Sequence, residues 1–254
     1  MASDRRAKLA PTEAEVSACQ SDEPQTVAAP SGTPEPQIFP FHEPLPDVSD
    51  RLLGPATRWA NVPAGDCLQR ARRAGVQLRK AGSTSNIAAP VRLGGPLAGV
   101  TFRVPPDKTK WGLLDCRLAL TFWEIAPVLR EHQVQAIRID NFYRPRAALR
   151  AQRGKKKKSQ HAYGLAADIV SFTLDDGREL DVQRDFHGER GKAVCGPEAF
   201  LEPVTDEAVR LRNLVCDIAK RGAFHHILTP NHDLAHEDHL HVDIKRDNRW
   251  FSVE

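Results

Sequence analysis

Two short stretches carry the residue types that can do chemistry. In the first, Ser159-Gln-His-Ala-Tyr-Gly-Leu-Ala-Ala-Asp168, His161 precedes Asp168 by seven positions and Gly164 lies between them. The second reads His236-Glu-Asp-His-Leu-His-Val-Asp-Ile244. Asp168 stands between Ala167 and Ile169, and a carboxylate buried in such a run is costly unless something cationic meets it. Gly164 lets the backbone turn, so a loop histidine can approach an aspartate on the strand that follows. In the second stretch strand alternation puts His239, His241 and Asp243 on one face and Leu240, Val242 and Ile244 on the other. Two imidazoles and one carboxylate converging on a point form a three-ligand zinc set that leaves a position open for water. Such a metal would answer the charge of Asp168 and lower the pKa of the water toward ~7. A neighbouring carboxylate would then take the proton. Asp238, three residues before His241, is the best placed; Glu237 shares the strand parity of His239 and His241 and is its rival. The plainer alternative is a hydrogen-bonded His–Asp pair without metal. The chain has ten histidines, and His225, His226, His232 and His236 lie close by, so spacing alone leaves both readings open.

These residues need a scaffold. Asp115 can N-cap the helix CRLALTFWEIAPVLREH, in which Leu118, Phe122, Ile125 and Leu129 recur at helical spacing and Pro127 is expected to introduce a kink. Residues 134–140 alternate as a strand, and residues 166–174 form a second. Asp175-Asp176-Gly177 is a hairpin turn signal, with residues 178–184 pairing back. Residues 198–220 read as largely helical up to Gly222, followed by strands at 223–228 and 239–244. Earlier in the chain a short helix ends at Gly75, and strands are expected at 76–78, 90–93 and 100–104. Hairpin rather than βαβ connections indicate an α+β fold, a mainly antiparallel central sheet flanked by helices. Residues 1–55 are rich in Pro, Glu, Ser and Ala and read as a disordered tail or linker, leaving residues 56–254 as one domain with order setting in near Trp59.

Bulk properties exclude several classes. The 254 residues are 41% hydrophobic and 27% charged with a net charge of +3, a basic bias too small to argue for nucleic acid. No Walker A loop or GxGxxG turn occurs, and no apolar run approaches the roughly 18 residues of a membrane helix. None of the five cysteines (Cys19, Cys67, Cys116, Cys195, Cys216) forms a CxxC pair, which argues against a zinc knuckle. The even count in the folded part suits two disulfides in an oxidising compartment, with Cys67–Cys116 and Cys195–Cys216 the first pairing to test; four buried thiols are the alternative. MASDRRAKLAPTEAE has no apolar core of a secretion signal. Val16-Ser-Ala-Cys19 has the form of a lipoprotein cleavage box, but with no apolar segment upstream a lone cysteine in a polar tail is the plainer reading. Lys155 to Lys158 read as a solvated loop or, more sharply, as an electrostatic collar for a carboxylate-bearing substrate.

SQHAYGLAAD fits the pattern S-x-H-x-x-G-x-A-x-D, and DHLH fits D-x-x-H overlaid on H-x-H. Together they resemble the zinc peptidases of the lysostaphin, D-Ala-D-Ala peptidase and Sonic hedgehog superfamily. The middle of the chain is more similar still to the bacterial extensin-like C-terminal domain family. SFTLDDGRELDVQRDFHG resembles its strand–turn–strand, NHDLAHEDHLHVDI its closing motif, and the CRLAL helix and VQAIRID strand also fit. The resemblance runs over roughly residues 60–247. It implies a hedgehog-like or D-Ala-D-Ala-peptidase-like fold with Zn2+ held by His161, Asp168 and His241. It makes Asp238 the general base and His239 an outer or oxyanion-stabilising group. Phe142-Tyr-Arg-Pro145 resembles the G-Y-R-P segment of the dipeptidase branch, where the arginine steadies developing negative charge; Arg144 takes that role here, with Arg146 as its rival. The implied activity is hydrolysis of D-amino-acid peptide bonds of bacterial peptidoglycan, as a DD-endopeptidase or DD-carboxypeptidase, by a monomer in the periplasm or cell envelope acting on stem peptides. A zinc-containing but catalytically silent cell-wall binding module is the second reading, and a plain structural envelope protein the third.

Overall fold

The computed structural model describes residues 38–148 and 157–254. Six helices are described: α1 (Val48–Arg51), α2 (Pro55–Ala60), α3 (Ala64–Arg73), α4 (Cys116–Glu131), α5 (Val182–Asp185) and α6 (Asp206–Lys220). The strands are β1 (Leu78–Lys80), β2 (Pro90–Leu93), β3 (Thr101–Arg103), β4 (Leu114–Asp115), β5 (Val134–Asn141), β6 (Ala166–Leu174), β7 (Glu179–Asp181), β8 (His226–Leu228), β9 (Leu240–Asp243) and β10 (Ser252–Val253).

The larger sheet runs in the order β10-β8-β9-β6-β5-β3, with β7 added beside β6; β1, β2 and β4 form a small second sheet. Pairings β5–β6, β6–β7, β6–β9 and β8–β9 are antiparallel, as hairpin connections demand. The outer pairs β3–β5 and β8–β10 are parallel, so the α+β class holds with a sheet that is mixed at its edges. One face of the sheet is apolar. Ile169 and Phe172 of β6 and Leu240 and Val242 of β9 line the same interior as Phe122, Ile125 and Leu129 of α4 and Val215 and Ile218 of α6. At about 1.5–3 kcal/mol for each fully buried large side chain, this layer is the main stabiliser of the sheet. Alternation then commits the opposite side of β6 and β9 to polar residues.

Local chemistry explains the boundaries. The Asp115 carboxylate accepts a hydrogen bond from the Arg117 amide and starts α4, which continues through Pro127. The helix expected over 198–220 begins only at Asp206. Pro203 cannot continue a helical ladder, and the Thr205 hydroxyl accepts from Ala208 N as the N-cap. The return strand is likewise shorter than residues 178–184. Asp181 accepts from the Arg184 amide and turns the chain into α5.

Packed structure also begins earlier than composition suggests. Phe41 is buried, stacks on Phe39, donates its amide to Asn213 Oδ1 and accepts from Gly196 N, while Trp59 of α2 packs into the core and hydrogen-bonds Glu124 of α4. A few well-placed aromatics anchor a segment whose average composition is that of a linker. The Cys19 reading lies outside the described residues.

Both expected disulfides are present, Cys67–Cys116 joining α3 to α4 and Cys195–Cys216 joining the 186–200 segment to α6. Loops of this size make each worth roughly 3–4 kcal/mol through the unfolded chain. The same segment is pinned by the buried Arg212 guanidinium, which donates to the carbonyls of Val194, Phe200, Phe186 and His187. Among the described residues no helix is long and apolar enough to cross a membrane.

Candidate metal centre

The polar face of the sheet carries the site, and strand register builds it. Asp168 of β6 stands directly opposite His241 of β9 on one side and Asn141 of β5 on the other. Two residues along, Asp243 of β9 faces His226 of β8. Directly opposed residues on one face are close enough to interact: Asp168 meets both Asn141 and His241, and His226 Nδ1 approaches Asp243 Oδ1.

His161 arrives from outside the sheet. It sits in a single 3-10 turn, Gln160–Tyr163, whose Ser159 cap accepts from the His161 amide. The turn ends at Gly164 with φ +64°, and a side chain there would meet the backbone of Leu114 and Asp115, with the Asp115 amide only 2.9 Å away. Only glycine meets both demands. Asp115 N in turn donates to the Gly164 carbonyl.

His161, Asp168 and His241 come together, all buried, each offering a ligand atom within 4.8 Å of the others. His161 Nε2 lies 2.9 Å from Asp168 Oδ1 and 3.0 Å from His241 Nδ1, and His241 Nδ1 lies 3.2 Å from the same carboxylate oxygen. The second nitrogen of each ring is spoken for. His161 Nδ1 lies 3.0 Å from the Phe142 carbonyl, which can only accept, so Nδ1 carries the proton. His241 Nε2 lies 3.4 Å from Asp243 Oδ2 and takes its proton for the same reason. Neutral rings therefore turn two nitrogen lone pairs onto a carboxylate oxygen. That arrangement is repulsive unless a cation, either a proton or a metal ion, sits among them. The donor set of two imidazole nitrogens and one carboxylate oxygen, with acceptors fixing the tautomers from behind, fits zinc and its neighbours.

Titration follows the same geometry. Burial pushes Asp168 up, but its contacts with His161 and His241 outweigh it and hold the carboxyl well below the usual carboxylate range. Burial lowers His161, and the Asp168 contact does not offset it, so this ring is neutral near pH 7. For His241 burial is outweighed by the hydrogen bonds to Asp168 and Asp243, which push it up to about 9. Without metal, then, His241 carries the proton that answers Asp168.

The rest of the predicted set is distributed around this point. Arg144 Nη2 is 3.3 Å from Asp168 Oδ2, with the side chain half exposed. Arg144 N donates to the His161 carbonyl, which locks the Phe142–Pro145 segment to the ligand turn. The guanidinium at the site is thus that of Arg144; among the described residues no ion pair joins Arg146 to Asp168. His239 Nε2 approaches Asp168 Oδ1 to 3.4 Å, and its Nδ1 is 2.7 Å from Asp238 Oδ1. Asp238 is exposed and meets the site through this imidazole. Glu237 closes a 3-10 turn, Leu234–His236, ahead of β9, so strand parity does not extend to it and its exposed carboxylate gains no place at the centre from that argument.

Two contributors escaped sequence reasoning. Asn141 Nδ2 donates to Asp168 Oδ2 at 2.8 Å. Asp243, which strand alternation set on the face of His239 and His241 without a role, sits between His241 and His226, whose Nδ1 lies 2.8 Å from Asp243 Oδ1. The parity that placed Asp243 beside His241 was the available signal. Of the lysine run, Lys155 and Lys156 lie outside the described residues. Lys158 Nζ donates to Asn86 Oδ1 and lies 5.9 Å from the Tyr163 ring centroid, beside the ligand turn.

A family model described as "Extensin-like protein C-terminus" matches residues 66–252, which include every residue of this centre. No curated protein and no solved structure matches the chain.

Proposed function

The chain belongs to the extensin-like protein C-terminus family, and because its two motifs resemble those of zinc peptidases we propose that it is a zinc-dependent peptidase of the bacterial cell envelope. Its substrates on this reading are D-amino-acid-containing peptide bonds of peptidoglycan stems, cleaved by a monomer in the periplasm. The observation that carries the reading is the convergence of the lone pairs of His161 Nε2 and His241 Nδ1 on Asp168 Oδ1, with both opposite nitrogens tied to acceptors. A divalent cation held there would supply a water of lowered pKa and a Lewis acid for a carbonyl oxygen.

The chain's own residues divide the remaining work. With His239 Nδ1–H donating to Asp238, Nε2 faces Asp168 with its lone pair free. Asp238 and His239 therefore act as one proton-handling unit, the imidazole taking the proton and the carboxylate supporting the charge. Arg144, held near Asp168 but half exposed, presents positive charge where the substrate carbonyl oxygen becomes negative. Asn141 and Asp243 orient the ligands from behind. The two disulfides suit an oxidising, extracytoplasmic setting.

The deciding experiment is digestion of purified peptidoglycan by the full chain, with and without a chelator, read by mass spectrometry. Chelator-sensitive release of peptides cut at a D-alanyl bond is expected, and the products name the bond. Stoichiometric zinc with no cleavage of any muropeptide would replace this reading with that of a wall-binding module. Asp238→Ala and His239→Ala should each retain zinc while losing most turnover; full activity in either would remove that residue from the mechanism.

A further inference from the structure

We propose that His232, Asp233 and His236 form a second divalent-metal site, distinct from the Asp168 centre and suited to zinc or a neighbouring transition metal. One ring nitrogen from each histidine and a carboxylate oxygen of Asp233 lie within 4.8 Å of one another. The residues flank the 3-10 turn Leu234–His236, which Asp233 caps by accepting from Ala235 N at 2.9 Å. That bond and the 2.6 Å contact with His236 Nδ1 both use Oδ1. Oδ2 is left facing His232 Nε2 at 3.7 Å.

His232 is set up as a ligand in the same way as the rings of the first centre. Its Nδ1 is 3.0 Å from Glu254 Oε2, so the proton resides on Nδ1 and the Nε2 lone pair points toward Asp233. A carboxylate behind an imidazole that faces a second carboxylate is the arrangement by which proteins orient a metal-binding histidine. Among the described residues the ion-pair partners of Asp233 are these two imidazoles, neither of them a permanent cation. Two nitrogens and one oxygen make a borderline donor set, which selects zinc, cobalt or nickel over calcium or magnesium.

The two sites share no ligand, so this is no bridged pair of metals. They are nonetheless neighbours, the His236 ring centroid lying 5.3 Å from that of His239 and 5.9 Å from that of His241. A cation at the outer site would clamp the segment that leads into Asp238 and His239, and so hold the proton-handling unit in place without touching substrate.

The test uses the full chain, stripped with a chelator and titrated with Zn2+ alone by calorimetry, with bound metal counted by mass spectrometry. Two equivalents per chain are expected, one tight and one weaker. His232→Ala/His236→Ala should bind one equivalent, and His161→Ala should keep the weaker one. A single equivalent in the unmodified chain that persists in the double variant, or two in the double variant, would overturn the proposal. Should the double variant fold poorly by circular dichroism, His232→Ala alone must weaken the second equivalent at least tenfold, and an unchanged isotherm would equally overturn it. Loss of the tight equivalent is not part of this claim: a His161→Ala chain that still bound two would refute the first centre and leave the outer one standing.

Discussion

The two histidine–aspartate clusters use similar side chains on different ground. In the inner one, Asp168 and His241 project from adjacent central strands and His161 is clamped between a glycine-ended turn and the Phe142 carbonyl. All three side chains are buried, and their orientations are set by register and by Asn141 and Asp243. The outer cluster stands on a loop, with Asp233 exposed and one carboxylate, that of Glu254, behind one of its rings. Rigid strands hold a ligand constellation to tighter tolerances than loops do. The inner cluster is thus preorganised for a metal, whereas the outer one must order its own segment on binding, which costs affinity.

That contrast can be broken most severely at His161. His161→Ala deletes an inner ligand, so metal affinity should fall by more than the roughly 10–100-fold typical of losing an outer partner. The melting temperature of the zinc-loaded chain should drop most of the way to that of the stripped chain, because metal binding and folding are linked. An unchanged zinc-induced rise in melting temperature would remove His161 from the centre.

Next in size is Arg144→Ala. Loss of a preorganised charge opposite a developing oxyanion lowers kcat by about 10²–10³-fold, and metal content measured on the same sample should stay constant. If kcat held and only KM rose, Arg144 would be a substrate anchor instead.

Asp243→Asn sharpens the comparison by attacking the support and leaving the ligands. The expected effect is about 10–100-fold weaker zinc binding at the inner site, with the outer site unaffected. Equal weakening of both would mean that the two clusters are not independent.

The smallest effect is in the pH dependence of the metal-free chain. His241, raised to about 9, contributes stability that is complete below its unfolded value of about 6.5 and is lost as pH rises through 9. Asp168, depressed, contributes stability above about 3.9 that is lost only at strongly acid pH. His161 acts in the opposite sense below about 6.5, since a buried neutral ring resists the proton that the unfolded chain accepts. Chelated protein should therefore melt at lower temperature at pH 9 than at pH 6.5. The zinc-loaded chain should lack that decline, because the metal takes the place of the His241 proton. Identical profiles with and without zinc would count against the inner site.

The residues of the inner centre were legible in the chain itself. The 7-residue interval from His161 to Asp168 with Gly164 between, and the alternation that sets His241 and Asp243 on one face of β9, express local rules of turns and strands that hold wherever the segments pack. The N-cap at Asp115, the hairpin after Leu174 and the division of β9 into apolar and polar faces belong to the same class. Tertiary structure decided what depends on partners remote in sequence. It placed Asn141 against Asp168 across a strand pair, put Asp243 behind His241, and joined Asp238 to His239. It also drew Phe41 into the core from a stretch that reads as linker, through a contact with Asn213 far along the chain. A side chain's type and spacing set what it can do, but which groups it meets is settled only when strand register and packing bring distant segments face to face.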